Sequence, residues 1–210
     1  MVKIPSISSD KDHRDDVDAS AQFVKTLFAD LGLNTQVIKV AGGMPAVVAH
    51  TEIDPDKKTV LLYAHHDVQP VGDISLWNTD PFQPEIIDGR LYGRGSGDNK
   101  AGVVVHYNVV KKLLEDLPVN IRIFIEGEEE IGSPTLPEFI KENGGMLSAD
   151  MIFSSDGGQW GKNQPSLVMG LKGIVGCELS ICKDHKDHTV KDNGSGIVFL
   201  AKNKEGYHNL

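Results

Sequence analysis

The stretch Tyr63-Ala64-His65-His66-Asp67-Val68-Gln69-Pro70, directly behind the run Thr59-Val60-Leu61-Leu62, decides how this chain reads. A strand sends successive side chains to alternate faces, so His65 and Asp67 share one face of a sheet. An imidazole to bind and a carboxylate to hold it is the pairing a metal site uses. Three-residue patterns recur by chance, so His-x-Asp takes its weight from acidic motifs farther along the chain.

Working outward, residues 59–64 form a short apolar strand of the buried kind. Upstream, residues 12–31 place Ala19, Phe23, Val24, Leu27, Phe28 and Leu31 at helical spacing, with Gly32 as a stop. Residues 35–40 and 46–50 read as two strands joined through Gly42-Gly43. Downstream, residues 77–94 are loop-rich, punctuated by Pro81, Pro84 and Gly89. Residues 100–117 predict a second helix with Val104, Val105, Val109, Leu113 and Leu114 as its core stripe. A strand over 120–126, a helix over 135–143 closed by Gly144-Gly145, and a strand over 151–154 complete the alternation. The pattern predicts an α/β layered domain with a mostly parallel central sheet. Residues 166–169 and 173–181 read as strands of a different, alternating kind. From Lys183 onward the pattern dissolves into Lys, Asp, His, Asn and Gly.

Composition narrows the partners. The 210 residues carry a net charge of −9, with 40% hydrophobic and 24% charged residues, as in an ordinary globular chain. The acidic balance, without a Lys/Arg-rich block, argues against nucleic acid or an anionic membrane surface. No apolar run approaches the length of a membrane span, and Met1-Val2-Lys3-Ile4-Pro5 does not resemble a signal peptide. Cys177 and Cys182 fall at an odd offset in one expected strand, which predicts reduced thiols and a cytoplasmic protein.

Three acidic motifs come after His65 in order. Gly93-Arg94-Gly95-Ser96-Gly97-Asp98-Asn99-Lys100 lies at a loop-to-helix junction. Asp98 there reads either as a helix cap or as a carboxylate turned into a cleft, and the glycine spacing fits no phosphate loop. Glu126-Gly127-Glu128-Glu129-Glu130-Ile131-Gly132-Ser133 leaves the carboxyl end of a buried strand, where α/β folds place their sites. A run of acids is ordinarily a solvated face. Ser154-Ser155-Asp156-Gly157-Gly158 ends the next strand and by itself reads as a turn. Four such motifs in sequence, each supplying acids or a histidine, make a more specific constellation than any member.

Together these residues, with Trp77, Asp80-Pro81-Phe82 and Gly89-Arg90-Leu91-Tyr92-Gly93-Arg94-Gly95, resemble the M20 family of metallopeptidases, particularly its dipeptidase branch. The likeness runs from about Ile4-Pro5-Ser6 to Ile181. It implies that His65 binds one metal, Asp98 bridges two, Glu130 binds the second and Asp156 completes the first. It also implies that Asp67 orients His65, that Glu129 is the general base acting on a metal-bridging hydroxide, and that the Asp98–Asn99 peptide is cis. The cofactor would be two divalent ions, zinc by preference with manganese or cobalt feasible, and the substrate a dipeptide or short peptide.

The likeness has limits. Family members are about twice as long, the size of a two-domain chain, and carry a small α+β lid that often mediates homodimers. They also supply a terminal histidine ligand from a returning half. Here residues 1–170 correspond to the first part of the catalytic domain, 171–182 to the first lid strand, and 183–210 to a polar, atypical tail. His185, His188 and His208 could stand in for the missing ligand, or belong to a disordered tail. His66 and Ala64 depart from the residues usual beside the metal, which bears on substrate fit. Two other readings stay open: a catalytically inactive, truncated metal-binding remnant, and an N-acyl amino acid deacylase of the same superfamily.

Overall fold

The computed structural model describes residues 1–158 continuously and, beyond them, a few positions among 161–168 and the pairs Glu178–Leu179 and Ile197–Val198. The chain divides into two units, Met1–Trp160 and Gly161–Leu210. The first carries α1 (Arg14–Ala29), β1 (Asn34–Ile38), β2 (Ala46–His50), β3 (Thr59–His65), β4 (Glu85–Ile87), β5 (Arg90–Tyr92), α2 (Lys100–Leu113), β6 (Asn120–Glu126), α3 (Leu136–Leu147) and β7 (Met151–Ser154). In the second, β8 (Glu178–Leu179) pairs antiparallel with β9 (Ile197–Val198). The expected boundary at 170, Cys177, Cys182 and the histidines of the tail lie outside the described residues.

The central sheet has the order β1-β2-β6-β3-β7. β6, β3 and β7 are mutually parallel, β2 runs against β6, and β1 runs against β2, so every strand but β2 points the same way. Alternation along the strands builds a core on each face. Val47, Ala49, Leu62, Ala64, Ile121, Ile123 and Ile125 meet Val24 and Phe28 of α1 and Val103 and Val110 of α2. Val48, Leu61 and Phe124 meet Phe139 of α3 on the other side. Full burial of a side chain such as Phe28 contributes roughly 2–3 kcal/mol. The result is a three-layer domain whose parallel strands all end at one edge.

Three expectations need correction. The expected core stripe of α2 is largely on the outside: Val104, Val105, Val109 and Leu113 are exposed, while Gly102, Val103, His106 and Val110 face the sheet. The helix is apolar on two faces, and periodicity alone does not choose between them. Gly102 selects the inner face, because a Cβ there would lie 2.4 Å from the Asn99 side chain and 2.7 Å from the Ser155 carbonyl. Similarly, α1 buries Val17, Ser20, Ala21, Val24 and Phe28, leaving Ala19 and Phe23 outside. Finally, α3 runs through Gly144-Gly145 to Leu147. Met146 and Leu147 pack on the Phe124–Phe139 cluster, and that burial outweighs the cost of about 1 kcal/mol per helical glycine.

Within the segment expected to be loop, β4 and β5 form a hairpin turned by Asp88 (φ 49°) and Gly89 (φ 74°). Both turn residues have positive φ, as a two-residue hairpin requires, and the Asp-Gly dipeptide was its signal.

Candidate metal centre

The parallel register sets the geometry. His65 is the last residue of β3 and stands opposite Glu126, the last of β6, while Tyr63 stands opposite Ser154, the last of β7. Loops leaving these strand ends therefore converge. Asp67 follows β3, Glu129 and Glu130 sit in a single turn after β6, and Asp156 follows β7. Asp98 arrives from the loop ahead of α2, across a cis peptide to Asn99, as the family likeness implies. The helix cap is Asn99, and its side chain makes no capping bond, so Asp98 is not a cap.

Three of these acids surround one atom. His65 Nε2 lies 3.0 Å from Asp98 Oδ1, 3.7 Å from Glu129 Oε2 and 3.8 Å from Asp156 Oδ2. Two triads result, His65–Asp98–Glu130 and His65–Glu129–Asp156, each with its ligand atoms within 4.8 Å of one another. Every expected site residue is thus brought together. An imidazole nitrogen has a single lone pair, so His65 serves one triad at a time. Glu129, expected only as a base, also stands at ligand distance within its triad.

The ring is held from behind. His65 Nδ1 is 3.1 Å from the Asp67 carbonyl and 3.2 Å from Asp67 Oδ1, both residues being wholly buried. The Nδ1–H bonds the carbonyl, leaving Nε2 to face the acids; Oδ1 accepts no hydrogen bond from the protein. Burial works to lower the His65 pKa, but Asp67, Glu129 and Asp156 outweigh it and lift the group to about 9. For Asp67, burial pushes the carboxyl up, yet His65 and Ser8 hold it below the usual range. Burial raises Glu129, with Asp156 and Glu130 adding to the effect and His65 opposing it; Glu130 is raised for the same first reason, against Gln69.

This donor set fits a divalent cation. Oxygen donors with one oriented imidazole are the ligands that zinc and manganese accept. The cluster concentrates negative charge enough to hold a proton on His65 above neutral pH, and a cation among the acids relieves the same charge.

Several residues that sequence reading quoted within motifs, but gave no role, support the site. Gln69 Nε2 donates to Glu130 Oε2 at 2.8 Å. Asn99 Nδ2 donates to the Ser155 carbonyl at 2.9 Å, joining the Asp98 loop to the end of β7. Tyr63 hydroxyl bonds Glu126, and burial pushes both groups up. Glu128 belongs to the framework: it is buried, accepts Met44 N–H at 2.7 Å and Thr135 hydroxyl at 2.6 Å, and so anchors α3 to the loop before β2. His66 also departs from expectation. It is fully buried, and its Nε2 bonds the Pro45 carbonyl at 2.9 Å, away from the acids. Gly127 is required beside it, since a Cβ would lie 2.6 Å from the Pro45 carbonyl.

Known proteins share this arrangement of sequence and fold. Residues 61–194 match the model of Peptidase family M20/M25/M40. The Beta-Ala-His dipeptidase of Mus musculus is 38% identical over 151 residues, covering 69% of this chain and 31% of its own length. The Cys-Gly metallodipeptidase of Schizosaccharomyces pombe is 35% identical over 195 residues, covering 86% and 41%. Among solved structures, human carnosine dipeptidase 1 superposes with a TM-score of 0.68 at 35% identity, over 76% of this chain and 37% of that one. The chain spans about 31% to 41% of the length of these curated relatives. With the family model matched over more than half its residues, this chain belongs to peptidase family M20/M25/M40.

Proposed function

We propose that this chain carries metal-binding residues of a dinuclear metallopeptidase acting on dipeptides or short peptides. The observation that carries the reading is the convergence of Asp98, Glu129 and Asp156 on His65 Nε2, with Glu130 completing the Asp98 triad, in a fold shared with named dipeptidases. Asp98 and Glu130 on one side, and Asp156 on the other, hold divalent ions, with zinc preferred. Bound there, such ions supply Lewis acidity, polarising a scissile carbonyl and lowering the pKa of water. Asp67 keeps the His65 ring in the tautomer that presents Nε2. Glu129 takes the proton of the attacking water and returns it to the leaving amine. The relatives' names favour peptide substrates over N-acyl amino acids.

A one-ion reading draws on a different observation: both triads depend on the same Nε2. Among the described residues, a second ion would then rest on carboxylates alone. Zinc titration separates the two readings, two tight sites per chain supporting the dinuclear one and a single site the remnant. Turnover of a dipeptide panel in added zinc or manganese tests the activity. Glu129→Ala should abolish turnover while leaving zinc bound; absence of turnover across the panel in the zinc-loaded parent overturns the catalytic assignment.

A further inference from the structure

The N-terminal segment is laid against the back of the centre as a strap. Ile7 forms a parallel bridge with Val68, Val68 N–H donates to the Ser6 carbonyl at 2.9 Å, and Ser6 Oγ donates to the His66 carbonyl at 2.7 Å. Lys100, almost wholly buried, donates through Nζ to the Ile4 carbonyl at 2.6 Å. These bonds fix the strap's position. One of its residues also reaches the acid behind His65. Ser8 Oγ donates to Asp67 Oδ2 at 2.6 Å, and both side chains are buried. The same Oδ2 accepts the Glu130 backbone N–H at 3.1 Å. Asp67 therefore joins three segments: the strap through Ser8, β3 through His65, and the glutamate turn through Glu130.

We propose that Ser8 is a positioning residue for the metal centre, acting through Asp67 on both His65 and Glu130. A carboxylate can rotate about its terminal torsion. Neither the 3.1 Å amide contact nor the His65 ring, which bonds the Asp67 carbonyl, fixes that rotation by itself. The short Ser8 bond holds Oδ2 where Glu130 N–H can reach it and keeps Oδ1 beside His65 Nδ1. Losing the hydroxyl frees the carboxylate to turn, loosening the glutamate turn and the ring together. The consequence for metal rests on the reading of His65 and Glu130 as ligands; the consequence for the turn does not.

The test compares Ser8→Ala, Ser8→Thr and Ser6→Ala in the full chain. Ser6→Ala removes a buried hydroxyl bond from the same strap without touching Asp67, so it reports a merely structural loss. In metal-free protein, amide exchange at Glu130 should quicken about tenfold in Ser8→Ala, return toward the parent rate in Ser8→Thr, and stay unchanged in Ser6→Ala. Zinc affinity should fall about tenfold in Ser8→Ala alone, the low end for residues that orient ligands. Equal Glu130 exchange in Ser8→Ala and the parent overturns the proposal. So does an equal change in Ser6→Ala. If the parent binds no zinc, the metal reading fails while the exchange comparison still decides the role of Ser8.

Discussion

The two walls of the centre are built in opposite ways. His65 and Asp67 are buried completely, whereas the side chains of Asp98, Glu129 and Asp156 are 68%, 36% and 31% exposed. The buried wall is bonded into the framework by Ser8, Glu130 N–H and its own backbone. The exposed wall is a set of like charges facing solvent around His65 Nε2. One wall is fixed by buried hydrogen bonds; on the proposed reading, a cation would balance the charge of the other. Mutations on the first should therefore disturb stability and metal affinity together, and mutations on the second should separate them.

His65→Ala breaks the comparison at its centre, because Nε2 is common to both triads. Zinc affinity measured by calorimetry should drop beyond the roughly hundredfold seen when only an orienting residue is lost. Asp67→Ala tests the buried wall. It removes one partner of a buried pair, so urea denaturation of the metal-free protein should show a loss of about 3 kcal/mol, with weaker zinc binding besides.

His106, on the buried face of α2, asks whether buried histidines away from the acids behave differently from His65. Burial lowers its pKa from 6.5, partly offset by its bond to the Tyr63 carbonyl. The unfolded chain takes up this proton first as pH falls, so the folded state loses stability from pH 6.5 downward. The loss should be at most about 1.4 kcal/mol per pH unit, and His106→Gln should flatten that part of the pH–stability curve. On the exposed wall, Glu129→Gln should have the smallest and opposite effect. Removing one charge from the acid cluster should stabilise the metal-free protein by about 0.5 kcal/mol, since water screens partly exposed groups. A thermal melt without and with zinc checks it; destabilisation of the metal-free form would mean that Glu129 belongs to the framework.

Much of this was legible in the chain itself. Short apolar runs alternating with helical periods gave the layered α/β domain, because burial leaves a two-residue or three-to-four-residue period wherever an element has one inner face. His65, Asp67, Glu129, Glu130 and Asp156 stood out as candidates at the ends of expected strands, where α/β folds place their sites, and Asp98 at a loop-to-helix junction; their roles came from the family likeness. Where an element is apolar on both faces, as α2 is, the period is silent, and Gly102 against Asn99 and Ser155 made the choice.

Sequence by itself thus determined most of the elements, their order and the candidate acids. Tertiary structure alone decided which acids are framework and which face His65. Glu128 and Glu129 are neighbours of one type, yet one bonds Met44 and Thr135 in the core and the other faces His65 Nε2. Ser8 and Asp67 lie 59 positions apart, and only packing of the strap on β3 brings them to 2.6 Å. The reason is physical: local spacing sets the face on which a side chain emerges, while burial and hydrogen bonding depend on segments distant in the chain, which meet only in the folded protein.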